Sequence, residues 1–153
     1  MGCSRQTDIG NNQHLDALKS APLLFVYEGL PHPLREASLL QSELKRTDIT
    51  KIGEFPFYTP KATATSKQAA RLKQILCRQA NYYISGVPTD CSPFHPDYAV
   101  AWMVSETEHQ LLVCFSCDEA RFLSADNTSS YDLRSTTELK VMLSEFKAER
   151  PTE

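Results

Sequence analysis

Apolar positions along the chain fall into short runs and stripes that switch between a period of two and a period near 3.6. Residues 1–20 are polar, carry no sustained period and read as a tether; Leu15 and Leu18 add at most one short helical turn near its end. Residues 23–27 (LLFVY) form a run of strand length, stopped by Glu28-Gly29-Leu30-Pro31. His32-Pro33 then leads into a helix, with Leu34, Ala37, Leu40 (or Gln41) and Leu44 recurring on one face. Residues 52–58 (IGEFPFY) read as a second strand, and Pro56, which has no N–H to give a ladder, places it at an edge.

Thr65 and Gln68 have the spacing of a capping box, and Ala69, Leu72, Ile75, Leu76 and Ala80 make the apolar stripe of the helix that follows. Residues 85–96 read as loop. Tyr98, Val100, Trp102 and Val104 then alternate with Ala99, Ala101 and Met103, a polar turn follows at 105–109, and 111–115 and 120–125 complete a three-strand meander. Residues 126–130 read as polar loop. Ser135 and Glu138 form a second capping-box pair, ahead of Leu139, Met142, Leu143 and Phe146. Lys147 and Arg150 suit the negative end of that helix and Pro151 ends it. The expected fold class is α+β: a tether at 1–21, then one domain at 22–150, an antiparallel sheet with a three-strand meander and about three helices packed on it.

Length and composition fit that picture. A chain of 153 residues is one domain in size and buries about 70% of its unfolded surface. A net charge of −3 offers no basic face of the kind nucleic acids need. The longest apolar run, 23–27, is far short of the roughly 20 residues that span a bilayer. Cysteines stand at positions 3, 77, 91, 114 and 117; an odd count leaves one thiol over if the rest pair, and leaves the redox compartment open.

Gly2-Cys3-Ser4 has the chemistry of a lipoprotein cleavage site, where the cysteine is acylated and a polar tether follows. The apolar segment that precedes such a cysteine is not among these residues, so this reading expects it upstream. One rival is dual acylation on Gly2 and Cys3, against which Gln6 stands where Ser or Thr is favoured; the other is an ordinary soluble start. An acylated Cys3 makes a membrane the partner and the bacterial cell envelope the location; without it the protein is cytoplasmic.

Cys114-Phe115-Ser116-Cys117 is a CxxC. Asp118 excludes a haem attachment site, and strands on both flanks disfavour the strand-to-helix junction that activates a redox thiol. Residues three apart on a continuous strand face opposite ways, so the two cysteines converge only if the chain turns at 116–118. With the preceding turn centred near 107, antiparallel pairing sets 96–98 opposite 116–118 and brings Cys91 and His95 to the same end. Cys91, His95, Cys114 and Cys117 are then a Cys₃His set suited to tetrahedral zinc. The same residues suit a disulfide from Cys91 to Cys114 or Cys117, a redox pair of Cys114 and Cys117, or plain packing, with Cys114 as a small core residue and His95 closing a loop. Cys77 reads as packing. Glu28 and His32 share a strand-end loop, and with His95 and Asp97 they are the residues available for acid–base chemistry. The chain has no glycine-rich phosphate loop, GxSxG or HExxH motif.

Three motifs, YEGLPHP at 27–33, CSPFHPDYAVAW at 91–102 and CFSCDEA at 114–120, together resemble a group of small bacterial proteins with signal-like N-termini associated with planctomycetes. The group's last motif runs closer to C-F-G-C-H-E-A, and Ser116 and Asp118 depart from it. The resemblance covers most of 23–150 and implies an envelope lipoprotein class without implying an activity. The leading expectation is an envelope lipoprotein serving as a binding or structural module, with a zinc or disulfide site at the Cys/His set. The alternatives are a thiol-redox protein using Cys114 and Cys117, and a hydrolase-like enzyme using Glu28, His32 and His95.

Overall fold

The computed structural model describes residues 12–60, 63–84, 93–147 and 150–151. In chain order the elements are α1 (Gln13–Ser20), β1 (Phe25–Glu28), α2 (Ala37–Glu43), β2 (Ile49–Ile52), β3 (Phe55–Tyr58), α3 (Ser66–Leu76), β4 (Tyr82–Tyr83), β5 (Tyr98–Val104), β6 (Thr107–Cys114), β7 (Glu119–Ser124), β8 (Asn127–Leu133) and α4 (Thr137–Ser144). An antiparallel six-stranded sheet in the order β1-β5-β6-β7-β8-β4 forms the middle layer. The fold is a mixed α+β domain, as the pattern of elements predicted.

The alternation in β5 and β6 sets the layers. Val100, Trp102, Leu111, Val113, Ala120 and Phe122 share the larger core with Leu15 and Leu18 of α1, Leu72 and Leu76 of α3, and Leu139, Met142 and Leu143 of α4. The opposite face carries Ala99, Leu112 and Cys114, covered by Ile52 and Phe57 of the β2–β3 hairpin and by Phe94. Both faces of the central strands are therefore dry, which accounts for their nearly continuous apolar sequence.

Several expectations change. Ser105 and Glu106 both have positive φ, 50° and 66°, so β5 and β6 join through a two-residue turn whose twist matches the strands. That turn sets Val104 opposite Thr107 and Tyr98 opposite Val113, a different register from one centred at 107. The meander has a fourth strand, β8, whose first four residues read as loop in the sequence. Its side chains are polar and exposed at Asn127, Thr128 and Ser130, but its backbone pairs with β7 from Glu119↔Asp132 to Ser124↔Asn127; a strand near a sheet edge needs little apolar signal. The single strand expected at 52–58 is the end of one strand and all of the next, turned at Gly53 (φ +59°).

Residues 12–21, read as the end of the tether, belong to the packed domain. The Asn12 side chain caps α1 by accepting from the His14 and Leu15 amides, and Leu15 and Leu18 are fully buried. Lys73 donates to the Ala21 carbonyl beyond the helix's other end. The stripe expected on the second helix does not form. Leu34 precedes the helix and is 69% exposed, Leu44 follows it at 43%, and α2 buries no side chain. Polar contacts hold it instead, including one from the Tyr58 hydroxyl to Glu43. The capping box at Thr65 and Gln68 is present. The one expected at Ser135 and Glu138 is not, because α4 starts one turn-step later at N-cap Thr136; Glu138 pairs with Arg78 at 2.7 Å instead.

Phe57 is fully buried between hairpin and sheet, whereas Phe146 lies half-buried beyond α4. We expect Phe57→Ala to cost about 3–5 kcal/mol, the usual penalty for emptying a buried aromatic site, and Phe146→Ala distinctly less. Urea midpoints of the two variants check the ranking; equal losses would mean that the hairpin layer does not seal the sheet.

Candidate functional site

The site lies where the chain leaves β1 and enters β5. The Gly29 amide donates to the Asp97 carbonyl at 2.8 Å. A Cβ at Gly29 would sit 2.2 Å from the Pro96 oxygen, so only glycine permits this approach. The Asp97 amide donates to the Val113 carbonyl, and the Asp97 carboxylate accepts the Phe115 amide at 2.8 Å. His95 is buried, and its Nε2 donates to the Leu30 carbonyl at 2.9 Å. Two loops and the end of β6 are thereby tied into one frame.

The His32 ring meets the His95 ring edge to face, 4.8 Å between centroids. Its Nδ1 accepts the Leu34 and Arg35 amides at 3.1 and 3.4 Å, so a neutral His32 carries its hydrogen on Nε2. Burial lowers the pKa of both histidines, helped at His32 by Arg35 and opposed at both by Asp97. Glu36 accepts the His32 amide at 2.7 Å and pairs with the Arg150 guanidinium. Arg150 also reaches Asp97 at 3.5 Å, and its amide donates to Glu28 at 3.3 Å. Burial works to raise the Glu36 pKa, but the His32 amide and Arg150 outweigh it and hold the carboxyl below its usual value. Tyr98 is pushed up to about 12 by burial, with Glu28 and Asp97 adding to it.

Around this frame lies a cleft of about 460 Å³, walled by Tyr98, Phe115 and Pro151 and edged by Lys140, Ser144 and Lys147. A second hollow of about 480 Å³ adjoins it, edged by His32, Arg35 and Ser116, and shares Glu36, Asp97, Phe115, Lys140 and Arg150 with the first. The three carboxylates are occupied by amides or by Arg150. Arg35, Lys140 and Lys147 are exposed and make no ion pair with the described residues. Lys140 stands 5.9 Å over the Phe115 ring. The open valence of the cleft is cationic, beside an aromatic wall.

Glu28, His32 and His95 do converge on this end of the sheet, as the sequence suggested. Glu36, Arg150, Arg35 and Lys140 were not foreseen: each looks like an ordinary surface charge in sequence, and no local motif joins residues this far apart.

The cysteines are placed differently from one another. Cys114 ends β6, is free and buried, and its Sγ lies 3.4 Å from the Ser116 hydroxyl. The chain does turn after it, with Asp118 at φ +48°. Cys117 is disulfide-bonded. Because Cys114 is free, the Cys114–Cys117 redox bridge is not formed. A disulfide sulfur has no thiolate to give a metal, and His95 spends Nε2 on a carbonyl. Among the described residues no group of three or more His, Cys, Asp or Glu side chains is placed to hold a metal ion. Cys3 and Cys91 lie outside the described residues. Cys77 caps α3, where burial pushes its thiol up.

No family model, curated protein or solved structure matches this chain.

The Glu36–Arg150 pair gives a pH dependence whose sign is fixed. A carboxyl held below its ordinary value of 4.5 stabilises the fold above that pH, and the contribution fades as pH falls below it toward the folded-state value. Urea midpoints measured from pH 6 to pH 3 should fall less steeply in Arg150→Gln than in the parent chain. Parallel curves would show that the pair is not made in solution.

Proposed function

We propose that the protein is a membrane-tethered binding module that takes a small anionic ligand with an apolar or aromatic face into the cleft between β1, β5 and α4. The carrying observation is the division of labour among the charges. Glu28, Glu36 and Asp97 are consumed by backbone amides and by Arg150, while Arg35, Lys140 and Lys147 stand open beside Phe115. A carboxylate or phosphate held among those cations, with its apolar part against Phe115 and Tyr98, matches both halves of the lining. The cysteines serve structure in this reading, Cys117 through its disulfide and Cys114 through packing. An enzyme built on Glu28, His32 and His95 is less well supported, since Glu28 and His95 are both committed to main-chain partners.

The tether rests on the Gly2-Cys3 motif and the polar residues after it. No helix of the described residues is long and apolar enough to cross a membrane, so on this reading acylated Cys3 supplies the attachment. Metabolic labelling of the native gene product with a fatty acid should mark Cys3, and the label should vanish in Cys3→Ser. Unlabelled product confined to the soluble fraction would remove the anchor from the proposal.

For the cleft, the probes are phenyl phosphate, benzoate, benzyl alcohol and benzylamine, followed by amide chemical shifts. The two anions should move signals from Phe115 and Lys140 saturably. Replacing Arg35 and Lys140 by Ala should weaken that binding about tenfold or more, roughly one ion-paired hydrogen bond's worth. Equal response to benzylamine, or no response to either anion, would overturn the ligand class.

A further inference from the structure

A contact unrelated to the cleft holds α1 to the sheet. His14 of α1 and His109 of β6 are both buried, with their Nδ1 atoms 3.1 Å apart. The rings meet edge to face; His14 stacks on Phe122 and His109 on Trp102. At that separation the two nitrogens share one hydrogen. One ring donates from Nδ1, and the other accepts there and carries its proton on Nε2. Whichever ring donates, His14 Nε2 is buried without a partner, as are the nearby Asn12 Nδ2 and Trp102 Nε1.

Among the described residues, no neighbouring charge favours the protonated form of either ring. Asp16 and Lys19, also on α1, pair with each other in solvent. Glu108 precedes His109 on β6, so it points to the other face, where it acts on Tyr27. From α3 come Lys73, which is bound to the Ala21 carbonyl, and Cys77, whose thiol is kept protonated. Trp102 and Phe122 close the remaining sides.

We propose that the His14–His109 contact is an acid-sensitive clasp: protons taken up by the two rings release α1 from the sheet while the β5–β8 meander stays folded. A first proton enters a buried site where no carboxylate of the described residues acts on either ring. A second must land on the nitrogen that accepts the shared hydrogen, which breaks the bond and sets two like charges about 3 Å apart. Burial lowers the pKa of both rings, and at His14 the neighbouring His109 lowers it further. The released form therefore binds more protons: docking is fully favoured above the ordinary histidine value of 6.5 and weakens as pH falls below it. Freed from the sheet, the eight residues of α1 span up to roughly 27 Å instead of roughly 12 Å as helix, lengthening whatever precedes them.

Amide hydrogen exchange of the full chain at pH 7.5 and pH 5.0, corrected for intrinsic rates, tests this. The α1 amides should lose about tenfold more protection than those of β6, a differential of about 1.4 kcal/mol. His14→Phe keeps the stack on Phe122 but leaves only His109 to titrate, so it should shrink the difference, and His14→Phe combined with His109→Phe should abolish it; His32 and His95 remain, so their titration is controlled. Loss of protection in α1 and β6 together, or an α1 equally protected at pH 5.0, would overturn the clasp. Should His14→Phe fail to fold, imidazole nitrogen shifts of the parent chain decide. One Nδ1–H ring and one Nε2–H ring at pH 7.5, protonating only as α1 opens, support the proposal; two rings titrating near 6.5 with α1 still protected refute it.

Discussion

The β5–β6 ladder is buried on both faces, and the rest of the molecule answers to that. A strand with apolar side chains above and below the sheet needs two covers. Helices α1, α3 and α4 supply one; the β2–β3 hairpin and Phe94 supply the other. Because side chains alternate strictly, the register chosen by Ser105 and Glu106 assigns every residue of both strands to a layer. The same register decides what stands at the far end of the ladder: Asp97 next to Val113, then Phe115 and the turn that carries Cys117.

The cleft is a by-product of how that end is closed. Main-chain groups left over where strands stop must find partners, and Asp97, Glu28 and Glu36 provide them to Phe115, Arg150 and His32. Arg150 offsets part of the charge of Glu36 and Asp97, while Arg35, Lys140 and Lys147 add three cations that make no ion pair with the described residues. The site thus acquires its cationic character locally, although the chain as a whole is acidic at −3.

All four histidines of the chain are shifted toward the neutral form by burial. They fall into two pairs with different surroundings. His32 and His95 sit near Asp97, and His32 edges an open hollow, so charge there can be met by carboxylate or water. His14 and His109 sit between aromatic rings, with unpartnered donors around them. Acid therefore bears more directly on the docking of α1 than on the cleft.

The sequence by itself determined the α+β class, the strand at 98–104, the apolar part of the next strand at 111–114, the stripe of α3 from Ala69 to Leu76 with its capping box, and the shared strand-end loop of Glu28 and His32. These signals are local: periodicity and caps act over a few residues. Tertiary structure alone decided the rest. Whether Leu15 is tether or core, whether Leu34 faces solvent, and whether 127–133 pairs as a strand depend on what lies across the sheet, not on the neighbours in the chain. The Arg150 contacts with Glu36 and Asp97 and the His14–His109 bond join residues far apart in sequence. Each depends on the register and layering of the whole domain, because hydrogen bonds and ion pairs form only within a few ångströms and no pattern of spacing encodes that distance.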